Sequence, residues 1–292
     1  MYGAIAANKR NTLLIMALFI GVVSAIGWAI SLYFGNTSIT YWVIGGAFIY
    51  ALIQYFAASK LAVMSTGAQE IQKRDNPRLY RIVENLSITT GMPMPKVYVI
   101  DDPAPNAFAT GRDPKHAIVA ATTGLMEIMS DRELEAVMAH EMGHVKNYDI
   151  RVSMIAFGLV SAIGILSDMA MHMFFFGGSN DNRNSNPVVL IIGIVLIVLA
   201  PIMAMLIQFA ISRQREYLAD ATGAMTTRDP EGLASALEQL EQHARPMQRQ
   251  STSTAHLFFS NPLKPGALSS LFSTHPPLGE RIKRLRKNAG KF

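Results

Sequence analysis

The sequence predicts a mainly α membrane protein: about four transmembrane helices and a cytoplasmic α+β domain containing a small antiparallel sheet. Three observations carry this. Half of the 292 residues are hydrophobic and the mean hydropathy is +0.23, too apolar for an ordinary soluble chain. Four stretches, Thr12 to Phe34, Ile39 to Ala58, Val152 to Phe176 and Pro187 to Ile211, contain no Lys, Arg or Glu. Each can cross a hydrocarbon core of about 30 Å as one helix. The polar segments between and after them carry both helix and strand patterns.

The first stretch is longer than the h-region of a secretory signal, about 7 to 15 residues, and a second span follows a Gly35-Asn36-Thr37-Ser38 turn. A retained anchor and a hairpin are expected. With four crossings, Lys9, Arg10, Lys60, Lys73, Arg74, Lys146, Arg151, Arg213 and Arg215 fall on one side, while the other holds Arg183, offset by Asp181. The positive-inside bias then places both termini in the cytoplasm. The net charge of +5 is explained by that bias and by attraction to an anionic bilayer, with no nucleic-acid partner required. The absence of cysteine excludes a disulfide framework and a thiolate metal site. The chain divides into a transmembrane hairpin (1–58), a first cytoplasmic segment (59–151), a second hairpin (152–211) and a second cytoplasmic segment (212–292).

In the first cytoplasmic segment, Leu79, Ile82, Val83 and Leu86 mark a helix over Pro77 to Thr90, stopped by Gly91-Met92-Pro93-Met94-Pro95. Two β-branched runs, Lys96 to Ile100 and His116 to Thr122, flank "NAFATG" (106–111) and an Arg112-Asp113-Pro114-Lys115 turn; an antiparallel sheet is expected. Ser130-Asp131-Arg132-Glu133 has the S-x-x-E pattern of a capping box and opens the next helix. The second segment shows helical pattern over Glu231 to Glu241, a polar loop from Arg245 to Thr254 and a basic helix after "THPPLGERI".

The helix opened at Ser130 carries "HEMGH", residues 140–144. Positions i and i+4 share a face, so His140 and His144 can present imidazole nitrogens to one zinc ion. Glu141 stands beside the first of them, where it can act as a general base toward water. The bland alternative is two surface histidines on one helix.

Two histidines do not complete a zinc site, and no cysteine exists to help. The HEMGH helix is expected to enter the third span about eight residues after His144, placing a metal roughly 10 Å from the membrane face. A second hairpin returns the chain to that face just before Glu216-Tyr217-Leu218-Ala219-Asp220. Glu216 would thus lie at the matching height as a third ligand, with Asp220, four residues on, accepting the other N–H of a ligating histidine. The alternative is that Glu216, between Arg213 and Arg215, only forms interfacial ion pairs.

HEMGH together with "RQREYLAD" (213–220), "NAFATG" and "THPPLGERI" resembles the membrane gluzincins, the family that includes bacterial heat-shock proteases and the CAAX prenyl proteases. The likeness to the heat-shock branch spans nearly the whole chain. It implies a zincin-like catalytic domain, one Zn2+ per chain on His140, His144 and Glu216, and Glu141 as base. It further implies endopeptidase activity on membrane proteins or peptides, in stress-related quality control at the bacterial cytoplasmic (inner) membrane.

Other residues keep two readings. Asn106 to Gly111 is either an edge strand that adds a substrate peptide by main-chain pairing or an ordinary strand. His275, before Pro276-Pro277, either stabilises the oxyanion or merely enters a helix. Asp168 and His172 form an i,i+4 pair within the third span, read as a structural pair near the outer interface. Two other activities compete with cytoplasmic-face proteolysis: cleavage within the bilayer, disfavoured by the charges around HEMGH, and a transporter or non-catalytic zinc-binding membrane module, disfavoured by Glu141, for which a closed structural site has no use.

Overall fold

A computed structural model describes residues 2–156, 158–159, 162–163, 172, 215–249, 257–260 and 276–291. It opens with two long helices, α1 (Tyr2–Phe34) and α2 (Ser38–Thr66). Gly35, at φ +62°, makes the left-handed turn between them. Both are long and apolar enough, over Ile5–Leu32 and Ser38–Thr66, to cross a membrane by length and composition. They touch closely at Gly27, where a Cβ would come within 2.6 Å of Val43 Cγ1. Phe19, Val23 and Ile26 of α1, Ala47 and Ala51 of α2, and Ile155, Leu159 and Ile163 form one apolar cluster. Leu13, Leu18, Trp42, Phe48 and Phe56 point away from it and are exposed, as lipid-facing side chains would be. Most of the third apolar stretch and all of the fourth lie outside the described residues.

After α2 comes a four-stranded sheet of β1 (Gln69–Glu70), β2 (Lys96–Ile100), β3 (Ala107–Gly111) and β4 (Ala117–Thr122), in the order β1-β2-β4-β3. The expectation of an antiparallel sheet is corrected here: β2 and β4 run parallel, with Val97 opposite Val119, and the sheet is mixed. The connection explains this. Leaving β2, the chain skips one strand position and returns as the outer strand β3; the turn after Gly111 then folds β4 into the gap, antiparallel to β3. The last strand also starts one residue later than expected. Pro114–His116 is a 3-10 turn, held by the Asp113 carboxylate, which accepts from the backbone N–H of Lys115 and His116 at 2.9 and 3.1 Å.

Helix α3 (Pro77–Thr90) is bounded as its sequence demands. Asn76 caps it by accepting from Leu79 N–H at 3.0 Å, Pro77 supplies the first turn, and Gly91 ends it at φ +65°. A short α4 (Thr123–Ile128) follows the sheet. Helix α5 (Asp131–Lys146) begins with the full capping box: Ser130 accepts from Glu133 N–H, and Glu133 accepts from Ser130 N–H at 2.9 Å. Helices α6 (Pro230–Gln242) and α7 (Leu278–Lys287) complete the labelled elements. Leu79 and Val83 of α3, Val97 and Val119 of the sheet, Leu134 and Met138 of α5, Leu233 and Leu237 of α6, and Leu285 of α7 share one core.

Helix α5 does not run straight on toward the third apolar stretch. The chain breaks at Asn147 and Tyr148, the latter at φ +62°, and a new helix starts at residue 149. A non-glycine residue in the left-handed region costs roughly 1–2 kcal/mol, so this elbow must be held by its surroundings.

The capping box gives a direct test of how α5 starts. Ser130→Ala is expected to lower stability by about 1 kcal/mol, read as a lower thermal midpoint of the detergent-solubilised protein. An unchanged midpoint would show that this cap contributes nothing.

Candidate metal centre

On α5, His140 and His144 face each other one turn apart. Their Nε2 atoms stand 3.1 Å from one another, with the rings edge to face at 88°. A helix over residues 215–227 delivers Glu216, whose Oε1 is 3.4 Å from His144 Nε2 and whose Oε2 is 3.7 Å from His140 Nε2. One ligand atom from each of the three residues lies within 4.8 Å of the others. Two glycines allow this approach. A Cβ on Gly223 would sit 3.0 Å from the His140 backbone nitrogen, and one on Gly143 would sit 3.3 Å from Thr222 Cβ.

Behind each imidazole stands a carboxylate. Asp220 Oδ1 is 2.9 Å from His140 Nδ1, where the sequence reading placed an acceptor. Asp149 Oδ2 is 3.1 Å from His144 Nδ1, a contact that reading missed because Asp149 lies beyond the helix end. Its one signal was an acidic residue immediately after a HEMGH helix. A carboxylate accepting from Nδ1–H fixes each ring and leaves its Nε2 lone pair directed at the shared point.

Arg281 of α7 is the other residue missed. It is fully buried, and its guanidinium grips Asp220 through Nη2–Oδ1 at 2.6 Å and Nε–Oδ2 at 3.0 Å. Its Nη1 is 3.5 Å from Glu216 Oε2, and it lies over the Phe259 ring. It belongs to the "THPPLGERI" stretch, but one arginine in a basic helix carries no local mark of burial.

Four carboxylates, Glu141, Asp149, Glu216 and Asp220, are thus buried together at 2, 2, 6 and 4% exposure. Among the described residues, Arg281 and Arg215 are the guanidiniums that face them. Burial pushes the Glu141 carboxyl up to about 7, helped by the charge of Glu216 and opposed by His144, Arg281 and the Ala109 backbone. Burial also drives His140 below the ordinary imidazole range, whereas around His144 the Asp149 and Glu216 carboxylates outweigh burial and hold the ring above it. Two imidazoles and a carboxylate that bring one ligand atom each to a common point fit a divalent cation. Nitrogen and oxygen donors of this kind are ones that zinc accepts.

A cleft reaches this point, lined by Ala109 of β3, Glu141, Ile150, Ser153 and Phe258. Strand β3 borders it as the outer strand of the sheet. Residues 257–260 lie against its free edge: Phe258 bridges Phe108, and Phe259 N–H donates to Ala107 O at 2.8 Å. Asn106 is buried and bonds Ser260 both ways, donating to its carbonyl at 2.8 Å and accepting from its N–H at 3.0 Å. His275 and Asp168 lie outside the described residues, and His172 is an exposed helical residue.

Residues 73–289 match Peptidase family M48. A Protease HtpX homolog from Tropheryma whipplei (strain TW08/27) is 58% identical over 294 residues, covering 100% of both chains. Another, from Lactobacillus helveticus (strain DPC 4571), is 45% identical over 98% of this chain and 99% of its own. The crystal structure of S. mikatae Ste24p superposes with a TM-score of 0.54 at 20% identity, over 98% of this chain and 67% of that one; the fold is shared.

The glycine contact makes the convergence testable. Gly223→Val must push the 215–227 helix off α5 and is expected to reduce metal retained per purified chain by about tenfold or more, measured by elemental analysis. Full retention would mean that this close approach does not set the ligand geometry.

Proposed function

From the premise that this chain belongs to peptidase family M48 and is a membrane metalloprotease, we propose that it is a zinc endopeptidase working at the cytoplasmic face of a bacterial inner membrane. His140, His144 and Glu216 would hold one Zn2+ per chain, and Glu141 would be the catalytic base. The observation that supports this is the approach of the three ligand atoms to within 4.8 Å, with Glu141 in the adjoining cleft wall. When bound, the ion would polarise the scissile carbonyl and make water acidic enough to ionise near neutral pH.

The remaining work belongs to the chain's own residues. Glu141, its carboxyl pushed up to about 7, would take a proton from the attacking water and return it to the leaving amine. Asp149 and Asp220 would orient the ligand imidazoles, and Arg281 would hold Asp220 in place. An extended substrate would run beside the part of β3 from Ala109 onward, which lines the cleft past the stretch that residues 257–260 cover. Asn106 would act on that strand by fixing residues 257–260 to it, and His275 would serve the oxyanion.

In this reading the chain is multi-pass, with about four crossings partitioned as 1–58, 152–211 and the two cytoplasmic segments 59–151 and 212–292. Both termini would be cytoplasmic. Two of the four crossings have described helices to support them. Misfolded or damaged membrane proteins are the proposed substrates, because the cleft is joined through the elbow to the apolar helices and would lie just beneath the bilayer. The transporter or structural-module alternative is not favoured, since the family is one of peptidases.

The test is hydrolysis of a membrane-protein substrate in detergent with zinc content measured alongside. Glu141→Gln should keep its zinc and lose at least about 100-fold in rate, whereas Glu216→Ala should lose both. Full rate in Glu141→Gln would remove it as the base. Chelation should abolish hydrolysis of the wild type, and added Zn2+ should restore it; activity that persists without metal would overturn the zinc reading. Asp220→Ala should weaken zinc binding about 10- to 100-fold, seen by chelator competition.

A further inference from the structure

Asn8 has no role in the topology of the chain. It precedes Lys9 and Arg10, which a positive-inside flank explains, and polar residues there belong in the headgroup region. Yet Asn8 is buried while Lys9 and Arg10 beside it are exposed. Its side-chain nitrogen donates twice: to the Asn147 carbonyl at 2.8 Å and to Asp149 Oδ1 at 2.6 Å. Asn147 caps the C-terminus of α5, so the first bond satisfies a backbone group at a helix end. The second reaches the carboxylate whose other oxygen meets His144 Nδ1 at 3.1 Å.

Other contacts from α1 and its neighbours converge on the same elbow. Lys9 Nζ lies 4.7 Å from the centre of the Tyr148 ring, and Arg151 covers the same ring at 4.8 Å. Thr12, also buried, donates its hydroxyl to Asn8 O at 2.9 Å. One turn of the first apolar helix therefore grips the strained residue between α5 and the next helix and holds the carboxylate that orients a histidine.

We propose that Asn8 is a positioning residue of the metal centre: its amide fixes Asp149, and through Asp149 the His144 ring, so that tight metal binding requires the first membrane helix to be seated on the elbow. The inference rests on the metal site proposed above. It makes the membrane anchor a structural part of that site rather than a tether. An asparagine suits the position because its amide offers two donors and no charge, whereas an aspartate would repel Asp149.

The test uses full-length protein in detergent and measures the Zn2+ dissociation constant by competition with a fluorescent chelator. Asn8→Ala should weaken binding about tenfold, the lower end of the effect of removing a partner of a ligand. Asn11→Ala, on the same helix, should bind as wild type. Asn8→Ala added to Asp149→Ala should change the constant less than about twofold beyond Asp149→Ala alone, because Asn8 then has no carboxylate to position. Wild-type affinity in Asn8→Ala, or an undiminished effect without Asp149, would overturn the proposal. If Asn8→Ala does not fold, Asn8→Ser, whose hydroxyl is too short to span both acceptors, carries the same comparison. His144→Ala and Glu216→Ala separate the two levels: wild-type affinity in those variants sinks the metal site itself, while their loss of zinc beside an unaffected Asn8→Ala sinks only the role of Asn8.

Discussion

Two imidazole nitrogens and a carboxylate meet at one buried point, where a proton or a bound cation must stand between them, and much of this structure is the restraint that holds them there. The Nε2 atoms of His140 and His144 are 3.1 Å apart, with Glu216 against both. Each restraint comes from a different element. Asp220, beside Glu216 on one helix, holds one ring; Asp149, past the elbow, holds the other; Arg281, from α7, holds Asp220. Removing one member leaves the others buried without compensation, the costly way to break such a network. Burial among these groups, with the charge of Glu216, also raises the Glu141 carboxyl to about 7.

The apolar helices and the site are one packed unit on the evidence of the elbow. Tyr148 in the left-handed region is offset by contacts with Lys9 and Arg151, and Asn8 joins the elbow to α1. Basic residues that read as topology markers therefore also have structural partners. The helices α1 and α2 keep exposed Leu, Phe and Trp side chains over much of their surface, while Ile155, Leu159 and Ile163 join their inner face. A helix starting only five residues after His144 thus ties the candidate centre directly to the membrane-facing part of the molecule.

The mixed sheet serves the cleft. Placing β4 between β2 and β3 leaves β3 at the edge, and this is what allows Ala109 to line the cleft beside Glu141. Gly111 closes the turn at φ +141°, where a Cβ would come within 2.5 Å of the His116 carbonyl. A meander in chain order would have put β3 between β2 and β4, in the interior of the sheet.

What lay in the sequence was local. The caps of α3 and α5, the Gly91 stop, the four-residue spacing of His140 and His144, and the apolar lengths of α1 and α2 depend on backbone conformation and periodicity within a few turns, which neighbouring residues dictate. Glu216 and Asp220 were within reach through the expectation that a second membrane hairpin would return the chain at the height of HEMGH. Strand order, the elbow at Tyr148, and the contacts of Asp149, Arg281 and Asn8 were decided only by tertiary structure. Asn8 meets Asp149 across 141 positions, and Arg281 meets Asp220 across 61. Such contacts follow from how closely helices pack, at Gly143 and Gly223 above all, and close packing between distant segments leaves no periodic trace in either one.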